Sequence, residues 1–559
     1  MRFKDPRWLI AFAAAILYIH SLGKVHLFDW DEINFAESAR EMIESGDYLR
    51  VQINYEPFWE KPPLFFWMQV ASMKAFGVNE FAARLPNALC GIVTLIVIYS
   101  IGRRLHSRRF AAWWVLLHAA SFLPHLYFKS GIIDPWFNLF MFLGIYFLSR
   151  FLDGEAGGSR PLHALLLSSL FTGLSVLTKG PVGGGVVVLS YAIYLAFTRG
   201  KGLVSIRYYL YWGLASMAVI LLWFGLEVAM NGWWFIETFI DYQLRMAKTE
   251  DAGHGGFFLY HFVVLTIGCF PASMLIFRSL KTVRDDHGRK TFHGLMLASL
   301  VVILVVFTLV RTKIVHYSSF AYFPVSYLAA RSMLMLLEGK VFLKGWEKAA
   351  FLAIGLLWGL AFTGLPLLGN HIELLRPLLA KDRFAVANLE AQVEWGYWLV
   401  IPGILFLAAV VKSYLWLRRN CYLPAVLLLC VACIGVMQML LTSFAPRIEA
   451  YSQRAAIEFF KTLKGKDVYV DTWGYKSYGP YFYSAVRPGR RKEAKDDQWL
   501  LTGPVDKPTY LVVRINKKEK LMAEYGDKVE VLGEKNGFVF LKRRPLADSL
   551  PGIKGVGTQ

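Results

Sequence analysis

The stretch PRWLIAFAAAILYIHSLGKVHLFDWDEINFAE, residues 6 to 37, decides the fold. Its first half is an apolar run that suits a membrane helix. No small-residue cleavage site follows the run, so we expect a retained first helix and not a removed signal peptide. Its second half places Asp29, Asp31 and Glu32 a few residues after the apolar run. The chain therefore leaves the membrane into an acidic segment, and that acidity needs a chemical reason.

Apolar runs recur along the 559 residues, of which 56% are hydrophobic, and the mean hydropathy is +0.41. This composition is too apolar for a soluble enzyme and predicts a polytopic α-helical membrane protein. Windows of about 20 residues predict about thirteen membrane-spanning helices. The predicted spans are residues 8–24, 84–102, 110–127, 133–150, 162–179, 181–198, 207–229, 257–277, 293–311, 315–334, 348–368, 396–416 and 423–443.

Basic residues gather at every second joint between the predicted spans, for example at residues 103–109 and 278–290. The positive-inside rule then places the N-terminus in the cytoplasm, and an odd number of spans places the C-terminus outside. The formal net charge of +20 is explained by these joints and by anionic lipid headgroups, so we expect no nucleic-acid partner. Of the five cysteines, four lie in predicted spans and one in a cytoplasmic joint, and no disulfide framework is expected.

Three segments on the predicted outer side are too long to be turns: residues 25–83, 230–256 and 369–395. The first contains a stretch of helical composition and a short apolar stretch, which together predict helices lying along the membrane interface. Residues 1–444 form the predicted transmembrane catalytic domain. Residues 445–559 change to strand-like alternation and predict a small soluble α/β domain outside the membrane, without a nucleotide-binding fingerprint.

Several acids fall on the predicted outer face. Asp31 and Glu32 follow the first span, and Asp134 begins the fourth span in SGIIDPWFNLF, residues 130–140. Either aspartate also suits a helix N-cap, so a purely structural reading stays open. Glu60 and Lys61 stand between an aromatic pair and a diproline in PFWEKPPLFFW, residues 57–67. Adjacent opposite charges on a loop usually mean little, but here they could bind a cation and a phosphate respectively.

Cations at the predicted outer boundary run against the orientation rule and therefore need a reason. An anionic lipid supplies one, because its phosphate would be met by cations while nearby carboxylates perform proton or metal chemistry. Explanations without a function stay open, since Lys179 can extend its ammonium from the membrane into water and His254 can be a loop histidine without a ligand. The stretch RTKIVHYSSFAYFP, residues 311–324, adds His316. The candidate phosphate-binding residues are Lys61, Lys179, Arg311, Lys313 and Tyr317.

The arrangement resembles the GT-C glycosyltransferases that use a polyprenyl-phosphate sugar, in particular the superfamily of bacterial lipid A aminoarabinose transferases (ArnT) and protein O-mannosyltransferases. The acid pair after the first span, followed about thirty residues later by EKP, is fairly specific, whereas the other pieces are weak singly. The matching pieces run in family order from residue 28 to about 330 and are FDWDEINFAESAREMIESGDY, PFWEKPPLFFWMQVASMKAFG, FAARLPNAL, SGIIDPWFNLF, LTKGPVGG and KIVHYSSFAYFPVSYL.

The resemblance implies roles for single residues. Asp31 matches the principal catalytic carboxylate, with Glu32 beside it, and Asp134 matches a second acid of the outer face. Lys61 matches the residue that meets the lipid phosphate. No nucleotide is implied, because the donor already carries its activation in the sugar–phosphate bond.

The resemblance also implies a divalent metal ion held by Glu60 and His254, in a structural or a catalytic role. One departure stands out. Members of the aminoarabinose branch commonly carry an arginine three residues after the catalytic aspartate, where this chain has Asn34. The change removes a candidate phosphate contact and leaves the sugar open.

The predicted function is that of an inverting glycosyltransferase in a bacterial inner membrane. Its sugar, 4-amino-4-deoxy-L-arabinose or another pentose or hexose, would pass from undecaprenyl phosphate to lipid A or another envelope acceptor. A protein O-glycosyltransferase and a transporter or flippase for a lipid-linked sugar are the alternatives. A transporter would place polar groups near the midplane of the membrane, whereas the acids here gather at one face.

Overall fold

The computed structural model describes residues 5–154, 160–249, 255–280 and 287–545. Up to residue 444 the described chain is helical apart from one small hairpin, β1 (Gln52–Ile53) with β2 (Glu56–Pro57). The helices of this part are α1 (Pro6–Ile19), α2 (Asp31–Ser45), α3 (Leu64–Phe76), α4 (Glu80–Leu105), α5 (Arg108–Ala120), α6 (Phe122–Tyr127), α7 (Asp134–Asp153), α8 (Leu162–Lys179), α9 (Val182–Phe197), α10 (Ile206–Asn231), α11 (Trp234–Lys248), α12 (Tyr260–Gly268), α13 (His287–Leu309), α14 (Tyr322–Leu337), α15 (Gly345–Asn370), α16 (Arg376–Leu379), α17 (Arg383–Asn388), α18 (Ile401–Arg418) and α19 (Tyr422–Met439).

The structure does not confirm the exact number of predicted spans. Within the described ranges, nine helices are long and apolar enough to cross a membrane, or ten if one bent pair is a single span, against about thirteen predicted. Helices α1 and α9 are apolar but shorter. The predicted span 110–127 is divided at Ser121 into α5 and α6. The predicted span 257–277 bends by 109° between α12 and the 3-10 helix Ala272–Ser279, next to Pro271, which has no backbone N–H to donate.

The long helices pack around an aromatic core. Trp114 of α5 is fully buried and lies edge-on to Phe142 of α7 and to Tyr327 of α14. By contrast, α10 and α15 turn apolar side chains outward, and Leu222 is 68% exposed. Such a face is unfavourable in water and suits lipid. The chain is therefore a polytopic helical membrane protein.

The segment between α1 and α4 folds into the two helices that the sequence predicted. Phe35 of α2 packs edge-on against Phe65 and Phe66 of α3, with ring centroids 6.1 and 5.6 Å apart. Helix α2 ends where Gly46 takes a left-handed conformation, φ +74°, and its N–H donates to the carbonyl of Met42. The two helices thus form one platform beside the membrane helices.

The C-terminal part is a small α/β unit with a four-stranded sheet of order β3–β4–β6–β5. The β3–β4 pair is parallel and the other two pairs are antiparallel. Its elements are α20 (Ala445–Ala450), α21 (Arg454–Thr462), β3 (Tyr469–Trp473), α22 (Gly479–Ser484), α23 (Asp497–Thr502), β4 (Thr509–Arg514), α24 (Ile515–Tyr525), β5 (Glu530–Lys535) and β6 (Phe538–Arg543).

This unit shares a hydrophobic core with the α2–α3 platform. Ile33 of α2 and Ile457 of α21 belong to the same buried cluster. Polar contacts add to it: the Tyr483 hydroxyl accepts from the N–H of Leu27 at 2.7 Å, and the Arg40 guanidinium donates to the carbonyl of Val486 at 2.9 Å. The C-terminal unit therefore holds the acidic segment after α1 in place.

Candidate functional site

The turn before α2 separates two acids. Trp30 has φ +72°, a conformation that bulky side chains rarely adopt and that surrounding structure must enforce. Asp29 accepts from the N–H groups of Trp30 and Tyr478 at 2.9 and 3.1 Å, on the side of the C-terminal unit. Asp31 lies toward the membrane helices, 3.4 Å from the ring of His316. One turn thus gives the two aspartates different surroundings.

Asp31 is not the N-cap of α2. The cap position belongs to Trp30, and no side chain makes a capping hydrogen bond there. The Asp31 carboxylate Oδ2 lies 3.4 Å from His316 Nε2, and its side chain is 43% exposed. A carboxylate beside an imidazole and open to solvent can accept a proton from a bound hydroxyl group. Its environment therefore suits chemistry better than helix capping.

Asp134 and Lys179 form a buried ion pair between the start of α7 and the end of α8. The Lys179 Nζ lies 2.6 Å from the Asp134 carboxylate, and the side chains are 15% and 3% exposed. The Ser319 hydroxyl lies 3.5 Å from the same carboxylate, and Asn138 holds that hydroxyl at 2.9 Å. No capping bond from Asp134 is present in α7. The pair joins α7, α8 and the segment that carries His316.

Lys61 completes the cluster. Burial lowers the pKa of Lys61, and the nearby charge of Lys179 lowers it further, against the opposing effect of Glu60, Asp31 and Asp134. Its ammonium therefore interacts electrostatically with these three acids and with the second lysine. We give the name catalytic cluster, after the role that the sequence predicts, to Asp31, Lys61, Asp134, Lys179 and His316. The structure brings together the four members that the sequence singled out.

Glu32 has a different place from its neighbour Asp31. Its carboxylate accepts from Arg84 Nε at 2.9 Å and from Arg84 Nη2 at 2.7 Å, and both side chains are buried. It also accepts from the N–H groups of Phe28 and Gly131. Burial alone would raise the pKa of Glu32, but Arg84 and these donors outweigh burial and lower it. The prediction of a catalytic Glu32 is therefore corrected to a structural one, since every acceptor direction is used.

Lys313 is also corrected. Its Nζ donates to the carbonyls of Phe307, Thr308 and Val310 at 2.9, 2.7 and 2.6 Å, and the residue is 6% exposed. These are carbonyls left over at the end of α13. An ammonium has three protons, and all three are used here. Lys313 therefore caps a helix, and no donor is left for the predicted phosphate.

Two further phosphate candidates lie near the cluster in sequence. Arg311 is exposed. Tyr317 stacks with Phe307 at 5.3 Å between ring centroids, and the Lys179 ammonium lies 5.9 Å from its ring. Tyr317 thus borders the catalytic cluster, while no described contact joins Arg311 to it.

The structure describes one residue of the predicted metal-binding pair. Glu60 is half-buried beside Lys61, and His254 lies outside the described residues. In the part of the chain that the structure describes, no three His, Cys, Asp or Glu side chains come together as a metal site would require.

Sequence reasoning gave no role to His316. Its signal was present, because the stretch with His316 and Tyr317 was singled out as an unusual polar boundary. Only the fold shows that the 3-10 helix Val315–Ala321 brings the imidazole to a carboxylate 285 positions earlier in the chain. Distant pairing of this kind is decided by tertiary structure.

Comparison with known proteins shows what the chain is similar to. Residues 60–224 match the family model described as dolichyl-phosphate-mannose-protein mannosyltransferase. An uncharacterized protein of Aquifex aeolicus (strain VF5) is 27% identical over 320 residues, which cover 56% of this chain and 61% of that protein. The undecaprenyl phosphate-alpha-4-amino-4-deoxy-L-arabinose arabinosyl transferase of Pectobacterium carotovorum (strain PC1) is 25% identical over 434 residues, 74% of this chain and 76% of that protein.

A solved structure extends the likeness to the whole fold. The crystal structure of ArnT from Cupriavidus metallidurans bound to undecaprenyl phosphate has a TM-score of 0.72 with this chain, at 20% identity, and covers 96% of this chain and 98% of that one. At this identity the likeness shows a shared fold, which is that of a multi-pass helical membrane protein of the GT-C type. The family model, the named relatives and the shared fold confirm the resemblance to the superfamily of lipid A aminoarabinose transferases and protein O-mannosyltransferases that the sequence predicts.

Proposed function

We propose that the catalytic cluster transfers a sugar from a polyprenyl phosphate to an acceptor on the outer side of the membrane. The observation that carries this proposal is that Asp31 pairs with His316 and that Asp31 also interacts electrostatically with Lys61. One group can take a proton and the other can meet a phosphate. The relatives named as undecaprenyl phosphate-dependent transferases support a polyprenyl-phosphate donor.

The reaction requires one bond to form and one to break. The acceptor oxygen attacks the anomeric carbon of the donor sugar, and its proton passes to Asp31, with His316 beside it as a second proton carrier. The bond between the anomeric carbon and the phosphate oxygen breaks, and the lipid phosphate leaves with the electron pair. Attack opposite to the leaving phosphate inverts the anomeric centre. Charge then grows on the phosphate, where a cation stabilises it.

Lys61 is the cation that we assign to the leaving phosphate. Lys179 is already paired with Asp134 at 2.6 Å, whereas Lys61 makes no such close pair among the described residues. Burial also lowers the pKa of Lys61, so its charge is poorly satisfied in the free protein. An arriving phosphate would supply the missing partner. The Asp134–Lys179 pair then fixes the start of α7 against the end of α8 and contributes to the electrostatic potential of the site.

For the acceptor and the sugar we propose lipid A and 4-amino-4-deoxy-L-arabinose as the first pair to test. The named relatives motivate the choice of sugar. Asn34 counts against a strict copy of that branch, because it removes a cation next to the catalytic turn. An envelope glycan or protein is the alternative acceptor. Mass spectrometry of envelope lipids and glycoproteins from cells with and without this protein would identify the product.

The catalytic assignment is tested with Asp31→Asn in purified protein. Release of undecaprenyl phosphate from a panel of undecaprenyl-phosphate sugars, with acceptor present, is measured by liquid chromatography and mass spectrometry. We expect kcat to fall by about 10²- to 10⁴-fold with folding unchanged. His316→Gln should lower kcat less, because Asp31 remains. Near wild-type turnover in Asp31→Asn would overturn the assignment.

The phosphate role is tested with Lys61→Met. We expect the KM for the donor to rise by about tenfold or more, because a charge-assisted contact is lost. Lys74→Met is the matched control: it removes the same charge from α3, where the ammonium lies over the ring of Tyr48 and not in the cluster. An unchanged donor KM in Lys61→Met would refute the role.

A further inference from the structure

A cavity lies beside the Trp30 turn, on the side of Asp29. Its volume is about 560 Å³, and it is enclosed by the start of α2, by residues 379–389 and by the C-terminal unit. This size suits one or two sugar rings and is too small for a folded partner. Aromatic rings form much of its wall, among them Phe28, Trp30, Tyr451 and Tyr475. Nothing in the catalytic cluster uses this space.

Arg514 gives the cavity a held cation. The guanidinium, at the end of β4, lies 4.8 Å from the ring of Phe384 and 4.4 Å from the ring of Tyr475. Its Nε is buried and has no hydrogen-bond partner among the described residues. Aromatic rings on both sides fix the plane of a guanidinium without using its N–H donors. A donor that is oriented and unused is ready for an anionic or carbonyl oxygen.

Asn388 supplies the opposite kind of group. It is 4% exposed, and its Nδ2 donates to the carbonyl of Phe384 at 2.9 Å. Asn388 lines the same cavity, and its buried Oδ1 has no partner among the described residues. A buried acceptor without a partner is energetically unfavourable. A hydroxyl or amino group of a ligand would satisfy it.

The charges around the cavity favour an anion. Besides Arg514, Lys476 lies 5.5 Å from the ring of Trp30 and 5.2 Å from that of Tyr478. One carboxylate, Asp29, also lines the wall, but two backbone N–H groups already bind it. The cavity is therefore lined by two cations, Arg514 and Lys476, and by one carboxylate that already accepts two hydrogen bonds. Aromatic faces, a free acceptor and excess positive charge together describe a site for a phosphorylated sugar.

We propose that this cavity binds an anionic saccharide headgroup of the acceptor, held by Arg514, Lys476 and Asn388. The proposal rests on the proposed transfer function and names its acceptor class. Trp30 lines the cavity, and the next residue, Asp31, belongs to the catalytic cluster. The cavity wall and the catalytic cluster are therefore joined at consecutive residues of one turn, whose Cα atoms are about 4 Å apart.

Binding is tested with full-length protein in phosphatidylcholine nanodiscs, using glucosamine 6-phosphate as the probe and uncharged glucosamine for comparison. Affinity is measured by saturation-transfer NMR. We expect Arg514→Gln and Lys476→Gln each to weaken binding of the phosphosugar by about tenfold. Lys476 is exposed, so its variant tests the site without a risk to folding. Arg383→Gln is the matched control, because Arg383 is 60% exposed and pairs with Glu519 outside the cavity.

The outcomes separate the possible binding places. Loss of binding in both cavity variants, with Arg383→Gln unchanged, supports the proposal. Loss in Lys61→Met alone would mean that the phosphosugar enters the donor site, and this overturns the proposal. Equal affinity for glucosamine and its phosphate overturns it as well. Wild-type acceptor KM in the Arg514 and Lys476 variants, with transfer still lost in Asp31→Asn, would remove this cavity and keep the transferase.

Discussion

Two neighbouring acids, Asp31 and Glu32, should respond in opposite ways to the same isosteric change. Glu32 is buried with Arg84, and their side chains are 6% and 5% exposed. Each carboxylate oxygen of Glu32 accepts from one Arg84 nitrogen and from one backbone N–H, that of Phe28 or of Gly131. In Glu32→Gln the amide oxygen keeps one of these pairs of donors, while the amide nitrogen, itself a donor, meets the other pair. The Arg84 charge then stays buried without an anion.

The magnitude follows from this geometry. Breaking a buried pair by removing one partner destabilises a protein by about 3–5 kcal/mol, and the low exposure leaves little room for solvent screening. A compensating Arg84→Met change in the Glu32→Gln background should recover only part of the loss. Arg84 also donates to the carbonyls of Leu22, Val25 and His26, which methionine cannot satisfy.

The assay compares unfolding with turnover. Thermal unfolding of the detergent-solubilised protein should show a clearly lower midpoint for Glu32→Gln and an unchanged midpoint for Asp31→Asn, whose carboxylate is 43% exposed. Turnover per folded molecule should behave in reverse, lost in Asp31→Asn and retained in Glu32→Gln. A Glu32→Gln protein with wild-type stability and no turnover would refute the structural role assigned here to Glu32.

Three more changes test other parts of the fold. Burial, and then Glu37, raise the pKa of Glu41 to about 9. The stabilisation of the folded protein by protonated Glu41 is therefore complete below the ordinary pKa of a glutamate, and it is lost as the pH rises toward 9, at up to about 1.4 kcal/mol per pH unit. Glu41→Gln should flatten the dependence of the unfolding midpoint on pH. Lys313→Met should lower stability by about 1–3 kcal/mol and leave the donor KM unchanged, and a changed donor KM would restore its phosphate role. Lys179→Met should destabilise by about 3–5 kcal/mol, and Asp134→Asn in the same chain should recover part of that loss; no recovery would count against the pair.

Hydropathy located the membrane helices well but not their breaks. A window of about 20 residues averages over a one-residue interruption, so the division at Ser121 and the 109° bend near Pro271 are invisible to it. The break at Ser121 has a tertiary cause, because its hydroxyl donates to the carbonyls of Leu117 and of distant Cys269. The interfacial helices α2 and α3 were predicted because composition and length suffice for short helices.

The site was predictable as a group but not as pairs. Residue type and predicted side singled out Asp31, Lys61, Asp134 and Lys179. Nothing in the sequence distinguishes an acid that a buried arginine neutralises from one that stays partly exposed. Glu32 and Asp31 are adjacent, yet α2 turns them in different directions. Only the fold determines which carboxylate keeps a free acceptor direction. Proton transfer from a substrate requires such a direction.

The ends of helices explain why the cluster can exist at this boundary. Asp31 and Asp134 each stand in the first turn of a helix, while Lys179 is the last residue of α8. The helix dipole favours acids at N-termini and cations at C-termini, so each charge sits where the backbone stabilises it. Asp31 and Asp134 make no capping bond, and their oxygens stay available to neighbours. The two readings of these aspartates, helix-end charge and catalytic acid, are therefore compatible, because the same helix ends that tolerate the charges also present them to one shared site.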